Sequence, residues 1–159
     1  MANKYKEGFN FLKLFLKRKY GVNVIQISGA EDAWYPYINK IVVNKDLQWR
    51  ERLLALIHES GHVQIDLESS SVKNMKCTGI FTEYKDSTKI KSKSQFVHLL
   101  NEELMAWNLG KNLAVTLNIT FDNKKLEEMT TKCLMSYVKS GLKSVYGNRI
   151  NVDIVDPGI

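Results

Sequence analysis

The chain has 159 residues, 44% of them apolar and 25% charged, which is the composition of a globular protein long enough to bury a core without disulfides. Its two cysteines, Cys77 and Cys133, form no CxxC pair, so the sequence predicts neither a disulfide framework nor a thiolate zinc site. No apolar run reaches the length of a signal peptide or a membrane span. We therefore expect one domain over residues 1–159, in the reducing cytoplasm.

The net charge of +6 is unevenly distributed along the chain. Residues 1–20 hold six basic side chains against one acidic, and residues 73–93 hold six against two. Such segments attract nucleic acid, anionic membranes or acidic proteins. Lysine outnumbers arginine 19 to 4, however, whereas phosphate and guanine recognition favours arginine. We interpret the excess charge as solvated surface, with nucleic-acid binding as the alternative.

The first predicted elements are a helix and two strands. Apolar residues at helical spacing predict an amphipathic helix from residue 4 to about 20, ended by Gly21. A basic helix of this kind can lie on a membrane, but the same pattern is typical of a helix that covers a sheet. β-Branched residues predict strands over 22–27 and about 38–43, the second preceded by a turn-prone segment at 34–37.

The next predicted element is a helix over about 47–67. Its run from Leu53 to Ile57 makes it apolar on nearly every side, which predicts a helix in the protein interior. Either Asn44 or Asp46 can cap its first turn by accepting hydrogen bonds from free backbone N–H groups.

The second half of the chain is predicted to be mainly helical. The pattern weakens between residues 68 and 93, where we expect a loop or a weak hairpin with a functional role. Helices follow over about 94–115 and 124–146, separated by a turn at 122–123. The tail over 150–159 adds one short strand in this interpretation.

Two histidines four residues apart, His58 and His62, lie near the centre of the predicted interior helix. Residues i and i+4 lie one above the other on a helix, so both imidazoles can reach one tetrahedral zinc ion. Glu59 directly follows the first histidine, about a quarter-turn away, where a carboxylate can act as general base toward water at the metal. The alternative is two unrelated histidines on a packed helix.

Catalytic zinc sites usually have three protein ligands, and Glu103 is the favoured third ligand. At ~100° per residue, Glu103 falls inside an apolar stripe of its helix, where burying an unpaired carboxylate costs free energy. Glu102 and His98 fall toward the polar side of the same helix. Ala106 and Gly110, one and two turns later, are small enough for another helix to approach closely. The stripe consists of Phe96, Leu100, Trp107 and Ala114. A buried ion pair with a lysine or arginine is the alternative role for Glu103.

Residues 34–114 resemble the ImmA/IrrE family of gluzincin metallopeptidases. The resemblance rests on the strand at 40–44, the segment at 50–54, the motif His58–His62 and the segment Glu103–Trp107. It implies an α+β, zincin-like fold in which a short sheet packs on the buried HExxH helix, followed by a second ligand-bearing helix and a C-terminal helix. It also implies His58, His62 and Glu103 as zinc ligands and Glu59 as the catalytic base.

These features favour a zinc-dependent endopeptidase that cleaves a protein or peptide, for instance a regulatory protein of a phage, a mobile element or a stress response. Trp107 stands where the family usually has asparagine or aspartate, and the alternative is a zinc-containing factor that binds a protein without cutting it. The side chain that stabilises the transition state is left open among four candidates. These candidates are His98, Tyr84, Tyr35 and Tyr37.

Overall fold

A computed structural model describes residues 3–69 and 92–146, and these form four helices and a three-stranded sheet, so the predicted α+β class is confirmed. The helices are α1 (Lys4–Tyr20), α2 (Trp49–Ser69), α3 (Lys93–Thr116) and α4 (Asn123–Tyr146). The strands are β1 (Asn23–Ile27), β2 (Ala33–Tyr35) and β3 (Lys40–Asn44). The loop or hairpin expected between α2 and α3 and the expected C-terminal strand lie outside the described residues.

Helix α1 has the bounds and the amphipathic character that its sequence predicts. The Asn3 side chain caps its first turn, and Gly21 ends it in the left-handed region at φ 71°, a conformation that favours glycine. Its apolar side chains Phe9, Leu12 and Leu16 are fully buried. This side of α1 packs against α2 and β1, so the helix covers the sheet and the interior helix.

The sheet has the order β1-β3-β2, with β1 and β3 parallel and β2 and β3 antiparallel. The predicted strand at 38–43 begins two residues later than expected, because Pro36–Ile38 forms a 3-10 turn and Asn39 has a φ of 45°. Strand β2 overlaps the first two residues of the segment 34–37, which was expected to be only a turn. Three residues are too few to show the alternation by which a strand is recognised.

Helix α2 is the interior element, as predicted. Every residue from Leu53 to Gly61 is buried, and the helix contacts α1, β2, β3 and α3. The two expected capping side chains have partners elsewhere. Asp46 accepts hydrogen bonds from the Ser28 hydroxyl (2.6 Å) and the Gly29 amide (2.7 Å) after β1, while the Asn44 side chain accepts from the Asp46 amide. These contacts tie the start of α2 to the end of β1.

Two glycines allow α2 and α3 to cross with their backbones in contact. A Cβ atom on Gly61 of α2 would overlap the backbone carbonyl of Ala106, and a Cβ on Gly110 of α3 would overlap the carbonyl of Ile57. The close approach expected from the small residues of α3 is thus confirmed. This crossing determines which side chains of the two helices meet.

Helices α3 and α4 have nearly the bounds predicted for them, and they pack against each other. Asp122, in the predicted turn between them, accepts a hydrogen bond from the Lys125 amide and so caps the first turn of α4. In the part of the chain that the structure describes, none of the helices has the length and apolarity needed to cross a membrane.

Candidate metal centre

The crossing of α2 and α3 brings His58, His62 and Glu103 together. The Nε2 atoms of the two histidines are 3.3 Å apart. One Glu103 carboxylate oxygen lies 3.4 Å from Nε2 of His58, and the other lies 3.7 Å from Nε2 of His62. Within the described ranges, the ion-pair contacts of Glu103 are with these histidines rather than with a lysine or arginine.

The donor atoms of these three residues, with a different Glu103 oxygen facing each histidine, have spacings close to those of a tetrahedral zinc site. With bonds of about 2.0–2.1 Å from zinc to nitrogen or oxygen, the corners of a tetrahedron are about 3.3 Å apart. The observed separations run from 3.3 to 3.7 Å. Two imidazoles and one carboxylate are also a ligand set that zinc accepts, and they leave a fourth position.

Burial and stacking restrict the ring of His58. The residue is 9% exposed, and its ring lies 4.2 Å from that of Trp107 at an interplanar angle of 24°. Ring nitrogens opposite a metal usually donate to a carboxylate or a carbonyl. Among the described residues, Nδ1 of His58 has no such partner. Stacking on Trp107 therefore takes the place of a hydrogen bond in orienting this imidazole.

The carboxylate of Glu103 remains ionised although it is buried. Burial alone would raise the pKa of Glu103, but its contacts with His58 and His62 outweigh burial and hold that pKa well below its usual range. Burial opposes a charge on His62, yet the hydrogen bond to Glu103 and the nearby carboxylates raise the pKa of this histidine. The centre is thus an anionic carboxylate between two imidazoles, an arrangement that favours a cation.

Glu102 is buried, contrary to the expectation that it lies toward the polar side of α3; it is only 7% exposed. The reason is that α2 covers a second row of α3, which Glu102 begins and the small residues Ala106 and Gly110 continue. Burial raises the pKa of Glu102 to about 8, so its carboxyl group is mostly protonated at neutral pH. Two consecutive glutamates therefore differ in charge, and Glu103 is the anionic one.

Glu59 lies beside the donor atoms. Its carboxylate oxygen Oε1 is 3.9 Å from Nε2 of His58, and the residue is 5% exposed. Asp32, which precedes β2, accepts a hydrogen bond from the Asn44 amide at 2.7 Å. Burial raises the pKa of Asp32, and the charges of Glu59 and His58 also act on it. The sheet side of the centre therefore carries a second carboxyl group that the sequence did not single out.

Helix α4 contributes two side chains that the sequence analysis did not assign to the centre. The Cys133 thiol donates to Oε2 of Glu103 at 3.7 Å, and one turn later Tyr137 lies close enough to Glu103 for the charge of that carboxylate to act on its pKa. Burial raises the pKa of Cys133 to about 12, and burial followed by the charge of Glu103 raises the pKa of Tyr137. Both are therefore protonated donors in the absence of a metal. Both residues are partly buried, and no spacing in the sequence relates them to the histidine motif, so no sequence signal pointed to them.

The proposed transition-state donors are spread over the chain. His98 is exposed on α3, about 140° around the helix from Glu103 at 100° per residue. Tyr35 and Tyr37 are 44% and 84% exposed at the end of β2 and in the turn that follows it. Tyr84 lies outside the described residues. Tyr137 on α4, by contrast, is half-buried and lies near Glu103, whose charge acts on its pKa.

Comparison of the chain with protein-family models, with curated proteins and with solved structures found no match.

Proposed function

We propose that this protein is a zinc-dependent endopeptidase that cleaves a protein substrate. The observation that carries the proposal is the convergence of His58, His62 and Glu103, whose facing nitrogen and oxygen atoms are 3.3 to 3.7 Å apart, beside the Glu59 carboxylate. The resemblance to ImmA/IrrE gluzincins supports the same assignment of roles, three ligands and one base. A buried pair of histidines with a purely structural role would not require an ionised carboxylate between them.

Each residue of the centre has a defined task in this reaction. His58, His62 and Glu103 hold the ion. Zinc, when bound there, lowers the pKa of a coordinated water and polarises a substrate carbonyl. Glu59 accepts the proton of the attacking water and transfers it to the leaving amine. Tyr137 remains protonated near Glu103, because burial and the charge of Glu103 raise its pKa.

Metal analysis of the purified protein tests the ligand assignment. We expect one zinc per chain, removed by a chelator, and loss of zinc when His58, His62 or Glu103 is replaced by alanine. Zinc bound only by the folded state adds to stability, so chelation should also lower the unfolding temperature. A protein that folds, binds no zinc and is indifferent to the chelator would refute the proposal.

Glu59→Gln tests catalysis separately from metal binding. The variant should keep its zinc and lose cleavage by about 10²-fold or more, because a general base contributes this much. The assay compares new protein N-termini in cells that express the parent or the variant. Glu127→Gln on α4, whose carboxylate is 64% exposed, is the matched control and should cleave like the parent. Equal cleavage by Glu59→Gln would contradict the mechanism.

A second candidate is a zinc-containing protein that binds a partner without cutting it. The Cys133 thiol favours it, because four protein donors are typical of structural zinc sites. In that case a partner recovered with the protein is intact, Glu59→Gln keeps the biological effect, and alanine variants of the zinc ligands lose it.

A further inference from the structure

Helix α4 brings a fourth potential ligand atom to the candidate metal centre. The Cys133 sulfur is 3.7 Å from Oε2 of Glu103, and the donor atoms of His58, Glu103 and Cys133 all lie within 4.8 Å of one another. These three donors come from three helices, so their convergence is a feature of the tertiary fold and not of one helix repeat. The proposed reaction has no use for this thiol.

We propose that Cys133 is a fourth protein ligand of the zinc and occupies the position that catalysis would leave to water. This inference rests on the proposed zinc site and adds a means of regulating it. With a zinc–sulfur bond of about 2.3 Å and other bonds of about 2.0–2.1 Å, sulfur lies about 3.5 to 3.6 Å from the other corners of a tetrahedron. The observed 3.7 Å to Glu103 is close to that value. Ligation forms a zinc–sulfur bond, and the thiol proton leaves to solvent.

The resting protein then has a closed coordination sphere. Water enters only when the Cys133 sulfur leaves the ion, so the thiol acts as a reversible block on Glu59-assisted hydrolysis. Substrate binding that displaces α4, or chemical capping of the thiol, would open the site.

The Cys133 thiol can have two roles at the centre, as a hydrogen-bond donor to Glu103 or as a metal ligand, and the two can be distinguished. Without a metal, the thiol is a donor to the Glu103 carboxylate, and the contact at 3.7 Å describes that state. With a metal, the same carboxylate oxygen and the same sulfur face one ion. Cobalt(II) distinguishes these states, because thiolate bonded to cobalt gives an intense near-ultraviolet charge-transfer band that a nearby thiol does not give.

The test is cobalt(II) titration of the full chain, followed by absorption spectroscopy. We expect the parent to bind one cobalt and show the charge-transfer band, Cys133→Ser to bind cobalt without the band, and Cys77→Ser to retain it. Cobalt binding by the parent without the band overturns the inference and leaves the proposed function standing. If the parent binds no cobalt or zinc, the proposed function fails, and this inference fails with it.

Alkylation of the parent gives a second measurement that does not depend on the folding of a variant. Zinc should slow iodoacetamide modification of Cys133 by about tenfold or more relative to the chelated protein, since a coordinated sulfur is a poor nucleophile. Cys77 in the same sample is the internal reference in mass spectrometry. Equal rates at Cys133 with and without zinc would refute ligation.

Discussion

The crossing of α2 and α3 can be tested with a single methyl group, by the substitution Gly61→Ala. A Cβ at this position would overlap the carbonyl oxygen of Ala106, and its carbonyl carbon and Cα would also be too close. These are backbone atoms of a buried helix, which cannot rotate away as the end of a side chain can. The two helices must therefore separate, and the separation also moves Glu103 away from His58 and His62.

Two opposing effects determine the size of the change in stability. Alanine is a better helix former than glycine by about 1 kcal/mol, which favours the variant. Overpacking of a core costs about 1–3 kcal/mol and occasionally more, and a clash with backbone belongs at the upper end of that range. We expect Gly61→Ala to be less stable than the parent by about 2 kcal/mol. An exposed glycine in the middle of a helix would show the opposite sign.

Urea denaturation of the metal-free protein measures this difference. Asn108→Ala, an exposed position on α3, is the control, because it gains helix propensity of about 0.5 kcal/mol without a steric cost. Zinc titration of Gly61→Ala should in addition show weaker binding, since the donor atoms lie further apart. A Gly61→Ala protein as stable as the parent, with undiminished zinc affinity, would refute the close crossing.

Two further predictions concern contacts that hold the sheet against α2. Trp34 is 4% exposed, and its Nε1 donates a hydrogen bond to the Asp66 carboxylate at 2.5 Å. Trp34→Phe removes this bond and should lower the free energy of unfolding, measured in urea, by about 1–3 kcal/mol. An unchanged unfolding midpoint would contradict this. The Ser28 hydroxyl, followed by the Gly29 amide, lowers the pKa of Asp46. A lowered folded pKa stabilises the protein above the unfolded value, and this contribution is lost as the pH falls through the folded value. The stability difference between the parent and Asp46→Asn should therefore shrink as the pH falls below the ordinary aspartate pKa of 3.8, and a difference independent of pH would contradict it.

The elements that local pattern determines were predictable from the sequence. The amphipathic period and Gly21 correctly predicted α1, and the continuous apolar run correctly predicted the buried helix α2. Helices α3 and α4 have nearly their predicted bounds. The short strand β2 was not predicted, because Pro36 indicates a turn and three residues carry no period. The start of β3 was displaced for the same reason, since the 3-10 turn uses residues that look like strand.

At the centre, the sequence could predict only what one helix carries. The spacing of His58 and His62 is a helix repeat, and the burial of Glu103 follows from its place on the stripe of α3. The burial of Glu102 could not be predicted from one stripe, because it depends on how wide an arc of α3 is covered by α2. Cys133 and Tyr137 depend on where a third helix docks, and no local spacing relates α4 to α2.

The three helices therefore divide the chemistry of the centre between them. Backbone contacts at Gly61 and Gly110 fix α2 against α3, and this contact determines the distances among the two histidines and Glu103. Helix α4 packs against α3, and Cys133 and Tyr137 are the described residues of α4 that approach Glu103. A displacement of α4 would thus change what occupies the fourth position and leave the other three donors where they are. If the centre binds zinc with Cys133 as its fourth ligand, as proposed, it would be closed or reactive according to the position of this one helix.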